Sequence, residues 1–207
     1  VFWVGLVVAA QLALPRSFTL HIVEHLDSVD ADVDAKYAET LKSSNPTVLV
    51  LSYSDFKVVA GGQDIPAPAP STRELHLDDQ GRWKPSELSE WTSISRLTPD
   101  LFASWIRGVP LNKDSDAAIT VSDSADPKAK VSGTARLRDS ANGFDVIECK
   151  FSATTGAFDS PLQITMKMFV DPKSGEMDHA EGDVTSMPPQ VAGRYNVQSA
   201  HFELKRT

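Results

Sequence analysis

The sequence predicts a mainly β protein: an antiparallel β-sandwich or partly open β-barrel with two or three short helices, preceded by an apolar N-terminal helix. Three observations carry that expectation. From Ala117 onward the chain is a succession of alternating segments separated by turn residues. Near the start, FTLHIVEHL alternates in the same way. Before it stands VFWVGLVVAAQLAL, fourteen residues without a charge.

Residues 1 to 14 end at Pro15-Arg16, where the polar part begins. The leading reading is a membrane-crossing helix. A span needs about 20 apolar residues, and a chain that starts at Val1 makes fourteen a lower bound. Phe2, Trp3, Leu6, Val7, Leu12 and Leu14 would be its lipid-facing residues, with Trp3 suited to the interface. Two other readings compete. The run has the length of a signal-peptide core, with Val8-Ala9-Ala10 as a small-residue cleavage site, and it could equally be a buried first element of the fold. Arg16 is the one nearby cation, followed by Glu24, Asp27, Asp30, Asp32 and Asp34. The positive-inside rule therefore gives no reason to hold residues 17–207 in the cytoplasm, and the expectation is an extracytoplasmic domain tethered by residues 1–16 in a single pass.

Within that domain, Phe18, Leu20 and Ile22 share one face of a strand. Val33, Tyr37 and Leu41 recur every fourth position with Ala35 and Ala38 between, and Asn45-Pro46 stops the run, which predicts a short amphipathic helix over 33–44. TVLVLSY and FKVVA are β-branched runs broken by Gly61-Gly62 and by the PAPAP stretch, an extended linker or edge loop. Leu75 and Leu77 lead through Asp79-Gln80-Gly81 to Trp83, a hairpin pattern. Residues 85–110 read as a helical region between two strand-rich lobes, 17–84 and 111–207. Its best-marked helix starts at Thr98 with Pro99 and Asp100 in the first turn, and carries Leu101, Phe102, Trp105 and Ile106 as a core face. AAITVSD, AKVSGTARL, FDVIECKF, LQITMKMFV, EMDHAEGDVTS and NVQSAHFEL then form an antiparallel meander, with Asn142-Gly143 and Gly175 among its turns.

Composition narrows function further. A chain of 207 residues holds one sizeable domain, and 20 Lys+Arg against 28 Asp+Glu leave a net charge of -8, so nucleic acid is not an expected partner. Cys149 is the only cysteine; it excludes an internal disulfide and a cysteine-based metal centre, and its alternation with Ile147 and Phe151 places it in the core.

His21 and His25 on a strand would stand about 13 Å apart, too far to chelate one ion. Asp30, Asp32 and Asp34 resemble the start of a calcium loop, but Ala35 and Leu41 occupy its glycine and closing acidic positions, so they read as a helix-entry region. Asp178, His179, Glu181 and Asp183 read as solvated charge on an outer strand face, and Lys205-Arg206 with Arg194 as a small basic patch. No Gly-x-Ser-x-Gly elbow, phosphate loop or dinucleotide fingerprint occurs. No catalytic, cofactor or metal residue is therefore expected.

The leading functional expectation is a non-catalytic, membrane-tethered accessory subunit that stabilises a larger membrane-protein complex, with a bioenergetic complex as one host. Its partners would be the other subunits and the bilayer. An alternative is a secreted or periplasmic barrel-like module binding an apolar or lipid ligand, with Phe151, Met166, Met168 and Phe169 as wall residues. An enzyme of unrecognised type is the third reading; a buried cluster of His, Asp, Glu or Cys would favour it.

Overall fold

A computed structural model of the chain describes residues 6–7, 14–90, 99–188 and 197–207. The protein is mainly β: an eleven-stranded antiparallel sheet with little helix. In chain order the strands are β1 (Leu6–Val7), β2 (Arg16–His25), β3 (Asp30–Ser44), β4 (Thr47–Ala60), β5 (Gln63–Ile65), β6 (Ser71–His76), β7 (Pro110–Leu111), β8 (Ala117–Ser122), β9 (Lys130–Leu137), β10 (Asp145–Thr154), β11 (Leu162–Val170), β12 (Met177–Thr185) and β13 (Ser199–Arg206). The large sheet runs β5-β4-β3-β2-β13-β12-β11-β10-β9-β8, with β6 also paired to β4. β2 pairs with β13, so the two strand-rich segments join edge to edge in one sheet.

Alternation decides the two faces. On β2, Phe18, Leu20 and Ile22 point inward, and on β11 so do Leu162, Ile164, Met166 and Met168. One hydrophobic cluster gathers inward residues from β2 to β4, from β6 and from β8 to β13. Against this inner face lie a 3-10 turn, Pro85–Glu90, and the short helix α1, Pro99–Ser104. Phe102 of α1 meets Phe202 at 6.4 Å between ring centroids, and Trp105 meets Phe151 edge-on at 5.3 Å. Ser86, in the 3-10 turn, donates to Asp123 just after β8, tying the segment after β6 to the far end of the sheet.

Two expectations are corrected. The helix over 33–44 is part of strand β3. A spacing of four is a multiple of both the helical turn and the strand repeat, and Ala31, Val33, Ala35, Tyr37 and Glu39 are all buried at period two while Asp32, Asp34 and Lys36 face outward. Asn45-Pro46 thus turns a hairpin rather than ending a helix, since Ser44 pairs with Thr47. The apolar N-terminal helix is likewise unsupported: Leu6–Val7 is a strand antiparallel to Pro110–Leu111, and Leu14 packs partly buried against the core. Among the described residues no helix is long and apolar enough to cross a membrane. An apolar run without periodicity does not choose between helix and strand, and VFWVGLVV is rich in β-formers. Phe2, Trp3 and Leu12 of the expected anchor, and the Thr98 cap, lie outside the described residues.

Elsewhere the turn chemistry reads through. Asn142 and Gly143 both take positive φ, 54° and 87°, in the two-residue turn between Ala141 and Phe144. TVLVLSY and FKVVA are one strand interrupted by a bulge, where Asp55 takes φ 54° and the register slips between Asp34 and Lys36. Gly133 and Gly182 serve close approach. A methyl on Gly133 would overlap the carbonyl oxygen of Lys150, and one on Gly182 would overlap that of Thr165. Gly133→Ala is expected to lower stability by about 1–3 kcal/mol, the usual cost of overpacking, read as a drop in the urea midpoint; an unchanged midpoint would show that β9 and β10 can separate freely.

Candidate functional site

The outer face of β12, β13, β2 and β3 carries four of the chain's five histidines, His21, His25, His179 and His201. Its residues stand in cross-strand rows because alternation puts every second side chain there. One row reads Glu148, Lys167, Glu181, Glu203, His21, Asp34, Lys57 from β10 across to β4. A neighbouring row reads Asp183, His201, Val23, Asp32. A groove of ≈ 750 Å³ crosses this face between Asp55 on the β4 bulge and Asn142 and Phe144 on the β9–β10 turn, with His21, His179 and Lys205 among its floor and wall residues.

Each of the five histidines holds a carboxylate through Nδ1. His21 meets Asp34 at 2.8 Å, His25 meets Asp30 at 3.0 Å and His201 meets Asp183 at 2.9 Å, all three between register partners on adjacent strands. His179 meets Asp178 at 2.8 Å and His76 meets Glu87 at 3.0 Å. All five imidazoles are roughly half exposed. The His179 ring also stacks on Phe169 at 4.0 Å and receives the edge of Phe144 at 5.6 Å, which stiffens one wall of the groove.

Asp30, Asp32 and Asp34 are therefore outward strand residues and form no helix entry. Lys205 faces the groove, Arg206 is engaged by Glu176, and Arg194 lies outside the described residues. Among the described residues, no group of three or more His, Cys, Asp and Glu is placed to hold a metal ion.

The expected ligand wall divides between the two faces. Phe151, Met166 and Met168 are buried at 2%, 3% and 1% exposure in the packed interior, whereas Phe169 points outward onto His179. The interior beside Phe151 is taken by Trp105, on which Phe102 packs, both fully buried, so the aromatic face of this helical segment is core as its spacing predicts. Cys149 is buried among them, and burial pushes its thiol well above the ordinary cysteine range. The native protein is accordingly expected to resist alkylation by iodoacetamide at pH 8 and to react at once in denaturant; rapid labelling of the native form would contradict the packing.

Two sets of ionisable groups escaped the reading of the sequence. Glu24 continues the inward series Phe18, Leu20, Ile22 on β2 and is 8% exposed between Ala31 and Ala200. Among the described residues no donor or cation is bonded to it, and burial raises its carboxyl to about 7. The alternation of β2 was signal enough to place it. The second set, Arg16, Tyr37, Glu39 and Asp100, joins β2, β3 and α1. Reading β3 as a helix kept Tyr37 on the apolar side but hid the inward phase of Glu39, and only tertiary structure brings Asp100 to them.

Fold and site together define an antiparallel sheet protein with an aromatic, closely packed inner face and a paired-charge outer face bearing a groove. No family model matches the chain, and no curated protein matches it. Among solved structures, that of a DUF1329 family protein from Desulfovibrio piger aligns over 95% of this chain and 85% of that chain, at 9% identity and a TM-score of 0.29.

Proposed function

We propose that this protein is a non-catalytic accessory subunit whose sheet domain docks onto a larger assembly through the groove on its outer face. The finer architecture we infer is a partly open barrel plugged by α1 and the 3-10 turn. One observation carries the reading. The inner face is occupied by its own aromatic side chains, while the outer face offers a ≈ 750 Å³ groove held open by a β-bulge and a tight turn. Preformed concave surface with fixed polar groups is what a specific partner uses. The half-exposed, carboxylate-bound histidines weigh against an enzyme, because acid–base chemistry asks for titratable groups gathered in a secluded pocket. The setting we infer is the extracytoplasmic face of a membrane, supported by the scarcity of cations beside residues 1–14, where Arg16 stands alone.

The packed interior weighs against the alternative of an apolar-ligand carrier. A photo-reactive residue at Asp55 or Phe144, compared with one at Thr120 on β8, tests the docking face in cells. The expected result is a single adduct of defined mass in the membrane fraction, formed from the two groove positions only. Adducts from all three positions, or from none, would overturn it. A lipid retained at one per chain in native mass spectrometry would transfer the weight to the carrier reading.

A further inference from the structure

We infer that Glu39 carries a proton which it donates to Asp100, and that this proton latches α1 to the inner face of the sheet, so that its loss releases α1. The bonding pattern in the cluster points to it. Arg16 reaches Glu39 through Nε and Asp100 through Nη2, the latter at 2.9 Å. Tyr37 donates to Asp100 Oδ1 at 2.5 Å. The side chains of Glu39 and Asp100 are 0% and 1% exposed, so one guanidinium faces two buried carboxyl groups. Two charged carboxylates would leave one buried negative charge without a bonded cation of its own, which is strongly unfavourable.

Glu39 Oε1 is where the deficit shows. It is buried and meets no donor, so as a carboxylate oxygen it is an unsatisfied acceptor. A proton on this carboxyl makes it a donor, and the Asp100 side chain is the carboxylate it hydrogen-bonds. Burial, then the Asp100 charge, holds Glu39 protonated well above the usual carboxylate range, and Arg16 offsets only part of this. The same burial and charges raise Tyr37, which stays a neutral donor.

The remaining charges around the cluster are accounted for. Arg107, past the end of α1, donates to the Gly81 carbonyl; its charge also acts on Glu39 and Asp100, though it bonds neither, and Asp78 binds Arg82. On β13, Arg206 is opposite Phe18 and engaged by Glu176. β4 presents Leu51 opposite Glu39 and, next on that face, Tyr53. Among the described residues no second cation is bonded to the pair.

The sign follows from linkage. Glu39 binds its proton more tightly folded than unfolded, so the latch is intact below the ordinary glutamate range and weakens as pH rises toward the folded ionisation. α1 holds Leu101 and Phe102, and the turn after it Trp105 and Ile106, against the sheet, so release uncovers an apolar stretch.

The test is hydrogen exchange of the 105–109 amides, which bond the end of α1 and the turns after it, as in Trp105 N–H to Phe102 and Val109 N–H to Ile106. The full chain carrying Glu24→Gln serves as parent, which removes the other raised carboxyl. Beyond the intrinsic pH effect, opening is expected to rise about tenfold per pH unit above pH 5 in the parent, and to be flat in Glu24→Gln/Glu39→Gln, whose amide keeps a donor for Asp100 without a proton to lose. No excess pH dependence in the parent, or its survival in the double variant, would overturn the inference. Should the double variant not fold, the ¹³C carboxyl signal of Glu39 in the parent decides: a protonated shift at pH 6 supports the latch and an ionised one overturns it.

Discussion

Trp105→Ala is expected to cost about 3–5 kcal/mol, the range for emptying a large aromatic site, and to leave the chain at the edge of folding. Trp105 is fully buried, and its ring lies between Trp83, parallel to it at 5.8 Å, and Phe102 at 5.2 Å, with Phe151 edge-on. Its Nε1–H donates to the Trp83 carbonyl at 3.0 Å. Alanine would therefore remove a ring shared by α1, the segment after β6 and β10, together with its hydrogen bond to the Trp83 carbonyl. A urea titration followed by far-ultraviolet circular dichroism measures the loss. A change under about 1 kcal/mol would mean that α1 is not part of the cooperative core.

Glu24→Gln is the second large effect, and it has the opposite sign. The Glu24 carboxyl is neutral in the folded state up to about pH 7 but ionises in the ordinary glutamate range when unfolded. Its folded value is raised, so the stability it permits is fully present below about pH 4.5 and drains away as pH rises through 7. Glutamine fills the same space and has no proton to lose. The variant is expected to match the parent near pH 4.5 and to exceed it by about 3 kcal/mol at pH 8, the free energy of a shift of this size. Thermal midpoints of the two proteins across that range check it. Parallel profiles would show that a neighbour already satisfies Glu24.

How far the sequence reaches can be seen at single residues. The strands from Ala117 onward were legible because one face is apolar and the other wet, so LQITMKMFV displays its register without reference to any neighbour. Asn142-Gly143 announced its turn through a backbone conformation that few other residues accept. Phe102 and Trp105 were legible as core. β3 was not legible, because Val33, Tyr37 and Leu41 satisfy both periods and only pairing with β2 on one side and β4 on the other decides between them. Residues 6–7 failed for a related reason. Hydrophobicity says that a segment leaves water, and the available partner edge, here Pro110–Leu111, says in what form.

The groove could not be read at all, since its walls are a bulge at Asp55 and a turn at Phe144, far apart in the chain. The same holds for the buried pair, where 61 positions separate Glu39 from Asp100. By itself the sequence determined the β class, the alternation that sorts apolar from polar faces, most turns and the burial of Cys149. All of these depend on interactions within a few residues or on simple transfer from water. Tertiary structure alone decided which strand edge each segment found, which carboxyl groups were forced to share one cation, and where the outer face became concave. Those depend on distances between residues that chain connectivity leaves free.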